Sequence, residues 1–143
     1  MRELHGHPGI GPRVRGVALV ARDGFSARYD LDRERGVFAR PGHALVGCSY
    51  VGRVLVLDRA KGGVASAWML HEMATRGMAP LALVLNHANP VMAQGAALAG
   101  IALIDRFATD VTRALASGEM LEVDPERGVV RVVAGVRPAG GEA

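Results

Sequence analysis

The sequence predicts a layered α/β domain with mixed strands. Three observations carry that prediction. Short extended stretches crowd both ends of the chain, strand and helix signals alternate through the middle, and the composition suits close packing of small side chains. Half of the 143 residues are apolar and only 4% are aromatic, so Ala, Val, Leu and Gly must fill the interior. The length fits one domain with one hydrophobic core.

Residues 1–15 are rich in Gly, Pro and Arg and read as a flexible lead-in. Residues 14–21 are aliphatic and β-branched, a strand. After the polar turn Arg22-Asp23-Gly24, the segment Phe25-Ser26-Ala27-Arg28-Tyr29-Asp30 alternates as a half-buried strand does. A charged loop over 30–36 closes on Gly36, and Val37-Phe38 begins another short extended piece. Pro41-Gly42-His43 marks a turn. Residues 53–57 form the most apolar strand and feed a glycine-rich bend.

The apolar spacing of Trp68, Met69 and Met73 predicts a helix over 66–76, with Gly77 as its C-terminal glycine and Pro80 beyond it. Residues 81–85 are continuously apolar, as a strand covered on both faces would be. Residues 86–90 read as a turn, 91–97 as a short helix, 100–104 as a buried strand and 108–116 as another helix. Residues 119–123 and 128–133 flank Asp124-Pro125-Glu126-Arg127, the pattern of a hairpin. The tail, 134–143, reads as loose.

Charge and cysteine usage exclude several classes. A formal charge of +3 comes with dispersed arginines and few aromatics, which argues against nucleic acid as a partner. The single cysteine, Cys48, cannot form an internal disulfide or build a metal site alone. No apolar run approaches the ~20 residues of a membrane span, and the first residues lack the apolar stretch of a signal peptide. The expected location is the cytoplasm, with no membrane contact.

In a layered α/β domain, ligands gather where strands end and helices begin. That rule selects residues 58–66, 86–90 and 105–109. The first holds the only lysine among 17 cationic residues, Lys61, followed by Gly62-Gly63 and then Ser66. A compact ammonium beside backbone N–H groups at a helix start suits an anion. An exposed loop lysine is the alternative reading. Ser66 has two readings, an N-cap or a hydroxyl facing the same anion. The bend is neither a phosphate-binding P-loop, because the lysine precedes the glycines, nor a dinucleotide fingerprint, because only two glycines are available. His87 can be read as an acid or base or as a turn residue, and Asp105-Arg106 as an ion pair or cap. His71-Glu72 lacks the second histidine of a zinc helix, since Thr75 stands at that position. His5 and His7 read as solvated.

A wider pattern joins these segments. Gly52-Arg53-Val54-Leu55-Val56-Leu57, the basic–glycine bend ending in serine, Gly77-Met78-Ala79-Pro80-Leu81-Ala82-Leu83-Val84-Leu85 and Asn89-Pro90-Val91-Met92-Ala93-Gln94-Gly95-Ala96 together resemble the aconitase X swivel domain. The likeness spans residues 16–133, and Phe25–Asp30 with Arg35-Gly36 matches the family's early aromatic–Asp–Gly segment. It implies a swivelling β/β/α domain like the mobile C-terminal domain of aconitase. It also implies the small subunit of a hydro-lyase that dehydrates a small hydroxy acid; known branches act on phosphomevalonate or cis-3-hydroxy-L-proline. A larger partner subunit would carry the iron or iron–sulfur cluster, with no cofactor bound by this chain. In that chemistry a base takes the α-proton of a β-hydroxy carboxylate while the metal draws off hydroxide.

Carried over by residue, the resemblance implies Lys61, Gly62 and Gly63 as substrate-binding residues and Ser66 as the catalytic one. The family loop commonly continues basic-Gly-Ser into further serines, whereas Gly63, Val64 and Ala65 stand here. Either Ser66 takes over the base, or another base or substrate is used, or the chain is a stand-alone anion-binding or regulatory module of the same fold. A phosphohistidine carrier would need His43 or His87 in a glycine–serine–histidine loop, and neither lies in one.

Overall fold

The computed structural model describes residues 2–135. Its centre is a parallel sheet built from β2 (Val14–Val20), β5 (Val54–Arg59), β6 (Ala82–His87) and β7 (Ala102–Ile104). The helices α1 (Val64–Thr75) and α2 (Pro90–Ala99) form the crossovers from β5 to β6 and from β6 to β7. On the far side of β2 the sheet continues antiparallel through β8 (Met120–Asp124), β9 (Val129–Ala134) and β1 (Glu3–His5). The strand order is β1-β9-β8-β2-β5-β6-β7, and β3 (Leu31–Asp32) pairs with β4 (Val37–Phe38) apart from it. The expected mixed α/β class is borne out.

Alternation along β5 and β6 explains why one face carries the helices. Leu55, Leu57, Leu83 and Leu85 point to the side covered by Leu70 and Met73 of α1 and Met92 and Ala96 of α2. Val54, Val56, Ala82 and Val84 point to the other, against Val111 and Leu115. Both faces are buried, so these strands read as continuous apolar runs. At the helix pair, Gly95 allows close approach: a Cβ there would stand 2.7 Å from the Ala67 Cβ. Among the described residues no helix is long and apolar enough to cross a membrane.

Several expectations differ from the structure. The lead-in is tied down, because β1 pairs with β9 and Ile10 bridges Leu103, so edge pairing orders a segment whose composition suggests a loose one. Residues 25–30 form a turn in place of a strand. Only Phe25 bridges, to Ala60, and then Asp30 N–H bonds back to the Ser26 carbonyl at 3.0 Å. The helix expected over 108–116 shrinks to α3 (Val111–Ala114), capped by Asp110. Asn86 and His87, expected in a turn, extend β6 through pairing of His87 with Arg59. Of the tail expected to be loose, Ala134 ends β9, and 136–143 lie outside the described residues.

Candidate functional site

The C-terminal end of β5 passes into α1 through Ala60, Lys61, Gly62 and Gly63. Ala60 N–H donates to the His87 carbonyl at 3.0 Å, and Lys61 N–H donates to the Phe25 carbonyl at 2.8 Å. Gly62 has φ +110°, a conformation that glycine adopts without strain. Gly63 is the N-cap of α1; no side chain caps that end, and no acidic residue occupies its first turn. Among the described residues no side chain thus accepts from the first N–H groups of α1, at the positive end of the helix dipole. By contrast, the start of α2 is closed by Asn89, whose Oδ1 accepts Met92 N–H.

Ser66 is not the N-cap. It is the third residue of α1 and only 2% exposed. Its side chain sits beneath Gly62: a Cβ added at residue 62 would lie 2.8 Å from the Ser66 Cβ and would collide with Oγ. Lys61, Gly62 and Gly63 are exposed. The Lys61 side chain passes over Gly24, where an added Cβ would stand 2.8 Å from Lys61 Cε. The predicted loop is thus assembled with its lysine and glycines exposed and its hydroxyl behind them.

Lys61 and Gly62 share a cleft with Asp23, Ser26, Tyr29, Asp30 and Arg40. The floor of this cleft is a charge network that the sequence reading did not single out. Asp30 is buried, accepts Ser26 N–H at 2.9 Å and accepts Arg40 Nε–H at 2.6 Å. The hydrogen bond from Arg40 to Asp30 holds that guanidinium's pKa above its usual value, opposed by desolvation. Arg40 Nη2 also lies 3.5 Å from Asp23. Burial pushes the Asp23 carboxyl up, but N–H bonds from Gly24 and Ala44, with the neighbouring His43 and Arg40, hold it below the ordinary value. These ion pairs join Arg40 to both carboxylates, and among the described residues none reaches Lys61.

His43 lies under the same loop. Its Nδ1 accepts Leu45 N–H at 3.0 Å, so the ring proton belongs on Nε2, which faces the Gly24 carbonyl at 2.9 Å. The ring stacks on Phe38 with centroids 4.7 Å apart. Arg40, Asp30 and His43 carried no periodic signal in the sequence. Their shared trait, polar residues between glycine turns, becomes meaningful only once the 23–30 turn folds back over residues 40–45.

The other two segments selected from sequence meet in a neighbouring crevice lined by Asp58, Asn86, His87, Arg106 and Asp110. Asn86 Nδ2 bonds both Asp58 (3.0 Å) and Asp110 (2.8 Å), and its Oδ1 accepts Val111 N–H. Asp105 accepts Ala88 N–H at 3.0 Å, so it acts as a loop cap. These groups satisfy one another and knit strand ends together. His71 and Glu72 are exposed on α1, and among the described residues no three potential metal ligands gather.

The comparisons with known proteins agree with this architecture. The family model of the aconitase X swivel domain matches residues 3–132. The chain belongs to the aconitase X swivel-domain family. The phosphomevalonate dehydratase small subunit of Methanocella arvoryzae is 30% identical over 130 residues, spanning 91% of this chain and 98% of that protein. The protein of the same description from Thermococcus sibiricus is 33% identical over 129 residues, spanning 90% and 97%. Among solved structures, the crystal structure of Thermococcus kodakaraensis aconitase X in its holo-form superposes with a TM-score of 0.85 at 25% identity, covering 93% of this chain and 99% of that one. The expected resemblance is thereby borne out over almost the whole swivel domain, β1 included.

Proposed function

We propose that this swivel domain is the small subunit of an aconitase X-type dehydratase and that its Lys61–Ser66 loop holds the anionic end of the substrate. The observation that carries the reading is the uncapped start of α1, with no acidic residue in its first turn and beside it Lys61, which no ion pair reaches among the described residues. The related small subunits are named for phosphomevalonate, whose phosphate and carboxylate would each suit such a loop; a small hydroxy acid is the broader class. Lys61 supplies the mobile charge, and the N–H groups of Gly63 and the first α1 turn supply fixed donors. The large partner subunit supplies the iron or iron–sulfur centre, since Cys48 is this chain's only thiol. Such a centre would act as a Lewis acid on the leaving hydroxyl. The proposed working place is the cytoplasm, with neither nucleic acid nor membrane as partner.

Ser66 is assigned the proton-transfer role, with one condition imposed by its burial. Its hydroxyl lies beneath Gly62, so a substrate must reach it around that glycine. The same burial favours the second reading, an anion-binding or regulatory module that lacks catalysis. A partner is also suggested by an uncovered apolar face next to the loop, where Val64, Trp68 and Leu98 are each more than 60% exposed.

The test is to copurify the chain with a large cysteine-bearing subunit and to assay dehydration of phosphomevalonate and other hydroxy acids. Turnover should collapse in the double variant Lys61→Ala, Ser66→Ala. Normal turnover in that variant would sink the site assignment. Anion binding without turnover in the wild-type complex would select the second reading.

A further inference from the structure

We infer that Asn89 is a positioning residue for the anion loop, fixing Gly62 so that Lys61 and the first N–H groups of α1 face the cleft. The inference rests on the proposed reading of that loop. Three consecutive loop residues are each held by a hydrogen bond to a residue outside the loop, the first and third to the β6–α2 junction and the second to Phe25. Ala60 N–H donates to His87 O and Lys61 N–H to Phe25 O, both of them backbone bonds available to any side chain. The third bond is different, because it is made by a side chain: Asn89 Nδ2–H donates to the Gly62 carbonyl at 3.3 Å.

The orientation of the Asn89 carboxamide follows from its second bond. Met92 N–H requires an acceptor and takes Oδ1 at 2.8 Å, which turns the NH₂ group toward Gly62. Capping α2 does not require asparagine, since serine, threonine and aspartate perform that role comparably. Tethering Gly62 does require it: aspartate has no donor to offer, and a serine hydroxyl on a shorter side chain falls short of the carbonyl. Gly62, at φ +110° and lacking a side chain, has nothing of its own to hold it. The tether therefore links the start of α2 to the loop that opens α1, at the end of the helix pair where Gly95 packs on Ala67.

The test uses the ¹⁵N-labelled full chain and inorganic phosphate as the probe, comparing wild type with Asn89→Ser and Asn89→Ala. Asn89→Ser retains the cap, so its melting temperature and the protection of the Met92 amide should match wild type. Its Gly62 and Gly63 amides should nevertheless show reduced heteronuclear NOEs, and phosphate should bind about fivefold more weakly, as loss of one net hydrogen bond predicts. Asn89→Ala loses cap and tether and should melt lower as well. Wild-type NOEs at Gly62 and Gly63 in Asn89→Ser would overturn the inference. If phosphate fails to shift these amides even in wild type, the anion reading fails by itself, and the NOE comparison still judges the tether.

Discussion

Gly62 lies directly over Ser66, so close that a Cβ at residue 62 would stand 2.8 Å from the serine Cβ and collide with its Oγ. Glycine is required there twice, for that contact and for φ +110°. Gly62→Ala should destabilise the domain by about 2 kcal/mol through strain and overpacking. Thermal melts of Gly62→Ala, Ser66→Ala and the double variant check this. Deleting the serine oxygen should recover part of the loss, and additive effects would refute the contact.

Lys61 is the only lysine and stands outside the Arg40 ion pairs. Lys61→Ala should weaken binding of small carboxylates or phosphate about tenfold, the worth of one charged hydrogen bond. Its melting temperature should stay within a degree or so of wild type, since exposed substitutions have small effects on stability. Isothermal titration with phosphate measures the first, calorimetry the second.

Breaking the pair beneath the cleft should act on stability. Asp30 is buried, and among the described residues its carboxylate accepts from Arg40 Nε and the Ser26 amide, with His43 Nε2 3.7 Å away. Arg40→Met removes the shortest of these contacts and should lower stability, by less than the loss of a fully buried pair because Arg40 is partly exposed. Urea unfolding near neutral pH reads the loss, and Arg40→Met with Asp30→Asn should recover some of it.

The acid limb of stability follows from two carboxylates. Asp110 is held below its ordinary 3.8 first by the Asn86 hydrogen bond, then by Thr112 and Arg113, against desolvation. Asp23 is likewise lowered from 3.8. A folded value below the unfolded one means the contribution is complete at neutral pH and is lost as acid titrates down through the folded value. Asp110→Asn should therefore be less stable near pH 7 while losing less than wild type on going to about pH 3. An equal pH dependence in both proteins would contradict the assignment.

Tyr50 offers a stabilising change. Its hydroxyl is buried without a hydrogen-bond partner among the described residues, its ring meets Phe38 edge-on, and burial raises its pKa. Tyr50→Phe removes an unsatisfied polar group from the core and should raise stability by up to about 1 kcal/mol. A lower melting temperature would show that the hydroxyl has a partner in solution.

The sequence by itself determined the parts that local chemistry controls. Apolar runs over β5 and β6, glycines at bends and helical spacing in α1 placed the central crossovers, because a strand buried on both faces has to be apolar along its length. The same signals located the Lys61–Ser66 loop, since a strand, two glycines and a serine in that order mark a strand-to-helix junction. Tertiary structure decided the rest. Pairing with β9 ordered residues 3–5, and the fold of 23–30 over 40–45 brought Arg40 to the cleft and His43 beneath it from positions with no local signature. It also decided that Ser66 lies under Gly62 and that Asn89, 27 residues away, holds the Gly62 carbonyl. The first contact follows from the Gly62 φ of +110° at the start of α1, and the second depends on how α1 and α2 pack, which no local pattern of residues encodes.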